Sequence, residues 1–195
     1  GQGLDEKSPS RHKPVSLAGQ AITLEVATGG RHAAPVLSLL FDAASRPDAR
    51  AVRPLAESGD FMITFDGSAG LGGARQGDWM ELSAKGLTFD LHGLAPGDPG
   101  MLLLHPRRFG LLPSLTRCEA VTLAPSPHLM GGEGTLPVLR AQLLLGVLLC
   151  DLPGLAAVCW LPARSLTGTA LFREATLGWL AGRPVPDFLR EEVPA

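Results

Sequence analysis

The sequence has no tyrosine, three cysteines and few lysines, and only 18% of its 195 residues are charged. Each shortage excludes something. Cys118, Cys150 and Cys159 are odd in number, far apart, and set among apolar neighbours, as in Leu148-Leu149-Cys150 and Val158-Cys159-Trp160. They do not form a disulfide framework and read as small buried hydrophobes, so the expected compartment is reducing and cytoplasmic. Lysine and arginine total 17 against 19 aspartates and glutamates, a net charge of -2. A surface that tracks phosphates needs a basic excess or stripe, so nucleic acid is not an expected partner. The densest basic spot, Arg107-Arg108 beside His105, has Phe109 as its sole nearby aromatic. Long hydrophobic runs are also missing. Residues 141–150, between Arg140 and Asp151, make half of the roughly twenty residues of a membrane span. They read as a buried helix, and no membrane partner is expected. Asp5, Glu6 and Lys7 stand where a secretion signal requires an apolar run.

The low charge content, against about a quarter in typical domains, has two readings. One is the Ala-, Gly-, Pro-, Leu- and Arg-rich bias of a GC-rich genome. The other is a surface covered by a protein partner or by a second copy of the chain.

What is present is a generous apolar supply, 45% of residues, spread without a long polar linker. This predicts a loosely attached segment over 1–19 and one domain over 20–195. Residues 21–26 alternate and are β-branched, as in a strand. Pro35 with Val36, Leu37, Leu39, Leu40 and Ala43 predicts a helix over 35–45. Pro47 and Pro54 bracket an irregular connection. Strands are predicted at 61–65 and, as a hairpin turning at Lys85-Gly86, at 79–83 and 87–91. Residues 94–117 carry four prolines and little pattern beyond a short strand at 101–104. A strand at 119–124, a helix at 136–151 capped by Thr135, a doubly buried strand at 155–161 and a helix at 170–181 capped by Thr167 or Thr169 complete the chain. Grouped strands with a few helices predict an α+β fold: a mainly antiparallel sheet with about three helices packed on one face.

The familiar chemical signatures are missing. The glycine-rich stretch from Gly67 to Gly73 is followed by Ala74, Arg75 and Gln76 and then a strand. A phosphate loop needs a helix start with lysine and a hydroxyl there. Ser68 has Asp66 where a nucleophile elbow requires glycine. His12, His32, His92, His105 and His128 form no helical pair and no cysteine lies close to any of them, so no metal and no cofactor is expected. No catalytic residue is assigned. Candidate ligand-binding residues are His128, which follows a strand end and precedes a helix, Arg107, and the turn from Arg164 to Thr169 with Arg164 and Ser165. Each also has a plain structural role available, as a loop histidine, a surface cation, or turn and cap residues. Cys118, next to Arg117, is the one cysteine with a charged neighbour suited to reactivity.

The ending has a distinctive order. A helix is followed by the strand 155–161 with Trp160 near its end, a Ser/Thr segment, a helix carrying Phe172, and Pro184-Val185-Pro186. Over 119–189 this resembles a bacterial family of domains of unknown function. Phe188 stands where that pattern usually has a Trp-like residue, and 94–117 has no counterpart. The resemblance implies bacterial origin and brings no catalytic residues.

Two functions from different classes are consistent with this reading. The first is a non-enzymatic protein-interaction module of accessory or immunity type. The alternative is a small enzyme or small-molecule-binding protein with a pocket near His128, Arg107 and the 164–169 turn. Trp79 falls on the outer face of its strand, where either self-association or the 94–117 segment would cover it. Because the histidines and cysteines lack ligand spacing, elemental analysis of the purified protein should return far less than one zinc per chain; a stoichiometric metal would contradict the reading.

Overall fold

Leu37-Ser38-Leu39-Leu40-Phe41 is buried along its whole length. In the computed structural model, which describes residues 35–69, 79–100 and 105–191, this segment is strand β1 (Leu37–Asp42). The expected helix over 35–45 is therefore corrected. A strand covered on both faces loses the period-two signal, and a short apolar run then looks the same in either conformation. The strand expected at 21–26, the loose segment 1–19, His12, His32, most of the glycine-rich loop and the strand expected at 101–104 lie outside the described residues.

The remaining strands are β2 (Met62–Asp66), β3 (Trp79–Ala84), β4 (Leu87–His92), β5 (Arg107–Phe109), β6 (Cys118–Pro125), β7 (Leu155–Trp160) and β8 (Ser165–Gly168). The described residues form one eight-stranded sheet in the order β2-β3-β4-β6-β1-β7-β8-β5. Every neighbouring pair is antiparallel except β5 and β8. Helices α1 (Ala49–Ala56), α2 (Leu136–Leu149) and α3 (Thr169–Leu180) pack on one face. They share a core with Leu37, Leu39, Phe41, Met80, Leu82 and Leu123. The fold is the expected α+β arrangement.

The opposite face is covered over half its width. Leu40, Ala120, Ala157, Cys159 and Leu166 are buried there against Leu112 and Leu115, from the proline-rich segment whose role the sequence left open. The approach is close: a Cβ on Gly168 would run into the backbone carbonyl of Leu111. On the other half, Trp79 is flanked by Phe65, ring centroids 4.6 Å apart, and His92, 5.4 Å apart, on its two neighbouring strands.

Several local expectations need correction. The stretch from Pro47 to Pro54, expected to be irregular, holds most of α1, which runs on to Ala56. Asp48 caps it by accepting from the amides of Arg50 and Ala51, and Pro54 sits within its last turn. Strands β5 and β8 were not expected. β8 was read as cap and turn residues, yet all four of its residues are buried. The N-cap of α3 is Gly168, with no side-chain bond from Thr167 or Thr169. Thr135 precedes α2 as expected, but its hydroxyl donates to the carbonyl of Gly132 and caps nothing. The hairpin is as expected. Lys85 (φ 54°) and Gly86 (φ 77°) both have positive φ, the type I′ geometry that matches strand twist.

Helix α2 is fixed to the sheet by one polar side chain. Gln142, fully buried, donates from Nε2 to the carbonyl of Pro35 at 2.6 Å and of Leu123 at 2.9 Å. Gln142→Leu removes both bonds and leaves buried acceptors behind, which should cost about 1–3 kcal/mol. Denaturant unfolding measures this, and an unchanged midpoint would contradict it.

Candidate functional site

Helix α2 has a single charged residue, Arg140, and a single amide, Gln142, in fourteen positions. Pro137 suits its first turn, and the apolar residues that follow go all round it. A helix of that composition is ordinarily enclosed. Here its inner side is enclosed: Val138, Ala141, Leu145 and Leu149 are buried. Its outer side is only partly covered: Leu136, at the first position, is 57% exposed, and Arg140, Leu144 and Leu148 are half-buried. On the neighbouring helix α3, Leu177 is 45% exposed. Between the two helices runs a groove of about 700 Å³, lined by Leu136, Ala141, Leu144, Leu177 and Leu180, with Arg140 and Lys85 as its charged members. Leu144 thus lines the groove, while Val158, Trp160 and Phe172 are buried in the core with Leu148 and Leu155 packed against it.

The two cations reach the groove by different routes. Arg140 is held by its neighbours on α3: its guanidinium lies 5.3 Å from the ring centroid of Trp179 and donates to the carbonyl of Leu180 at 2.5 Å. Lys85 comes from the tip of the β3–β4 hairpin. Among the described residues no acidic side chain lines the groove and neither cation is in an ion pair. The groove is therefore apolar with a net positive rim.

The residues singled out from the sequence occupy two other places. Arg107 and Ser165 meet on the paired strands β5 and β8, where they hold the C-terminal segment. Arg107 donates to the carbonyls of Ala163 at 3.1 Å and Arg190 at 2.5 Å. Ser165 is fully buried and donates to the carbonyl of Phe188 at 2.6 Å. Arg164 is exposed, with positive φ (48°), in the turn before β8; its carbonyl accepts from the Arg107 amide. Phe188 is buried against Phe109 and Phe172. His128 lies in the short 3-10 turn after β6, and its Nε2 is 2.6 Å from the hydroxyl of Thr88 on β4. Four strand spacings separate β4 from β8, roughly 19 Å. The structure brings Arg107, Arg164 and Ser165 together and leaves His128 apart.

Close to His128, the hydroxyl of the buried Ser126 donates to the carboxylate of Asp90, and His92 lies 3.9 Å from the same carboxylate. Activating a hydroxyl requires a base bonded to it and a third group orienting that base. Ser126 is bonded to an acid, and among the described residues His128 is bonded to Thr88 alone. At the far end of β2, Asp66 accepts from Arg53 at 2.8 Å and from Ser68 at 2.6 Å. Burial works to raise its pKa, but the bonds from Ser68 and Arg53 outweigh it and hold the carboxyl below its ordinary value. Among the described residues no three His, Cys, Asp or Glu side chains are gathered to hold a metal ion. None of their helices is long and apolar enough to cross a membrane.

Compared with family models, curated proteins and solved structures, the chain matches none.

The groove went unread in the sequence, although α2 carried a signal: a helix without a polar face. The cysteines are settled by burial. It pushes the thiols of Cys150 and Cys159 up to about 12. It also raises Cys118, helped by the charge of Asp42. Thiolate is the reactive form, so at pH 8 iodoacetamide should leave all three largely unmodified in the folded protein and label them after denaturation. Rapid labelling of Cys118 in the native state would contradict this.

Proposed function

We propose that this chain is a non-enzymatic protein-interaction module of the bacterial accessory or immunity type, and that the α2–α3 groove is where it meets its partner. The observation that carries this reading is the exposed apolar side of α2 and α3. Burying a leucine side chain is favourable by about 1.5–3 kcal/mol, and Leu136 and Leu177 forgo much of that in the free chain. Contiguous apolar surface rimmed by polar groups marks interaction sites where singly exposed leucines do not, and Leu136 and Leu177 share one groove. The chain's low charge content fits a covered surface of this kind. The enzyme or small-molecule reading needs His128 beside Arg107, and they sit on different halves of the sheet.

A photo-activated cross-linker placed at Leu177 and, separately, at Met62 tests the reading. Met62 is 62% exposed on the edge strand β2, which lies beside α1 and not in the α2–α3 groove. In the native cell, discrete protein adducts are expected from position 177 and not from 62. Adducts from 62 alone would move the interface to the open sheet face. Adducts from neither would contradict the interaction reading.

A further inference from the structure

Resting on that interaction reading, we propose that the groove takes an amphipathic helix whose polar flank is acidic. The shape comes first. The groove runs between two helices packed side by side, and a third helix laid along it would complete a helical layer at the usual 8–10 Å spacing. Helices recognised in this way insert apolar side chains at i, i+3, i+4 and i+7, and the leucines of α2 and α3 offer matching contacts. An enclosed small-molecule site buries about 70–90% of its ligand. A groove whose walls include residues as exposed as Leu136 and Leu177 is too open for that.

Charge selects the flank. Lys85 and Arg140 are the charged side chains in the groove, and neither has a carboxylate partner among the described residues. A second copy docking groove to groove would bring one positive rim against another, with no acidic side chain among the described residues to offset it, because a two-fold interface pairs identical patches. A helix with glutamates beside its apolar stripe would instead meet both cations. Lys85 is the one lysine among the described residues, and it stands in a left-handed turn position (φ 54°) that asparagine or glycine fills more easily. Arg140 keeps guanidinium N–H groups free beyond the one bonded to Leu180.

The experiment uses the full chain and three fluorescent peptides of about five helical turns, sharing one leucine stripe and flanked by Glu, Gln or Lys. Anisotropy titration at low salt should rank them Glu, then Gln, then Lys. At least about tenfold should separate the ends, a gap that shrinks as salt screens the charges. Lys85→Glu with Arg140→Glu should reverse the order. Leu177→Asp, at an exposed position where folding survives and is checked by circular dichroism, should abolish binding of all three. Equal affinity for the three peptides, lost on Leu177→Asp, would overturn the acidic assignment while leaving the interaction reading in place. Binding of none would overturn the inference, and the cross-linking result would still decide the reading beneath it. Sedimentation showing a dimer of the free chain that Leu177→Asp dissociates would give the groove to a second copy. Dodecanoate binding more tightly than the Glu peptide would give it to a lipid chain.

Discussion

The arrangement depends on a single constraint: strand β1 is buried on both faces and paired on both edges. It is bonded to β6 on one side and β7 on the other, so each face needs its own cover. Leu37, Leu39 and Phe41 turn toward the helices, and Leu40 turns toward the layer made with Leu112 and Leu115. The helical cover is then tied down by Gln142, which reaches the residue entering β1 and the strand beside it. A buried amide whose Nε2 donates to two backbone carbonyls fixes the rotation of α2 about its axis. With Gln142, Ala141 and Leu145 directed inward, Leu136, Arg140 and Leu144 have only the outside to face.

The groove is a consequence of that rotation. α2 uses its polar residue internally, where other surface helices spend theirs outside, and what remains for the outer surface is leucine and one arginine. The hairpin of β3 and β4 extends under the helices and delivers Lys85 to the same opening. Both cations therefore arrive by way of elements whose positions are set by the core. Charge at the margin of an apolar groove contributes orientation and partner discrimination more than raw affinity, which is the property an interaction module requires.

How far this was legible follows from the range of the interactions. The hairpin could be read because β3 and β4 each have one wet face, so Met80, Leu82, Phe89 and Leu91 alternate with polar neighbours. β7 and α3 were legible from an apolar run with Trp160 at its end and from the spacing of Phe172 and Leu180. β1 was not, since both of its faces are covered and its alternation is erased. α1 was hidden by Pro47 and Pro54, which look like brackets, although Asp48 was a capping residue in plain view. β8 was hidden because Ser165 and Thr167 are polar. Their burial is made possible by β5 and the Phe188 carbonyl, both distant in sequence. The groove was the least legible feature of all. Its walls lie about forty residues apart, and its second cation comes from a hairpin read as ordinary. His128 was grouped with Arg107 and Arg164, yet four strand spacings of the sheet lie between β4, which it touches, and β8.

The proposed partner surface is the apolar side of α2 and α3. Methyl NMR on protein labelled at leucine and methionine, titrated with the acidic amphipathic peptide, reads it out residue by residue. Shifts are expected at Leu136, Leu144, Leu177 and Leu180, with Met62 unchanged. Shifts at Met62 with the groove leucines unmoved would contradict it.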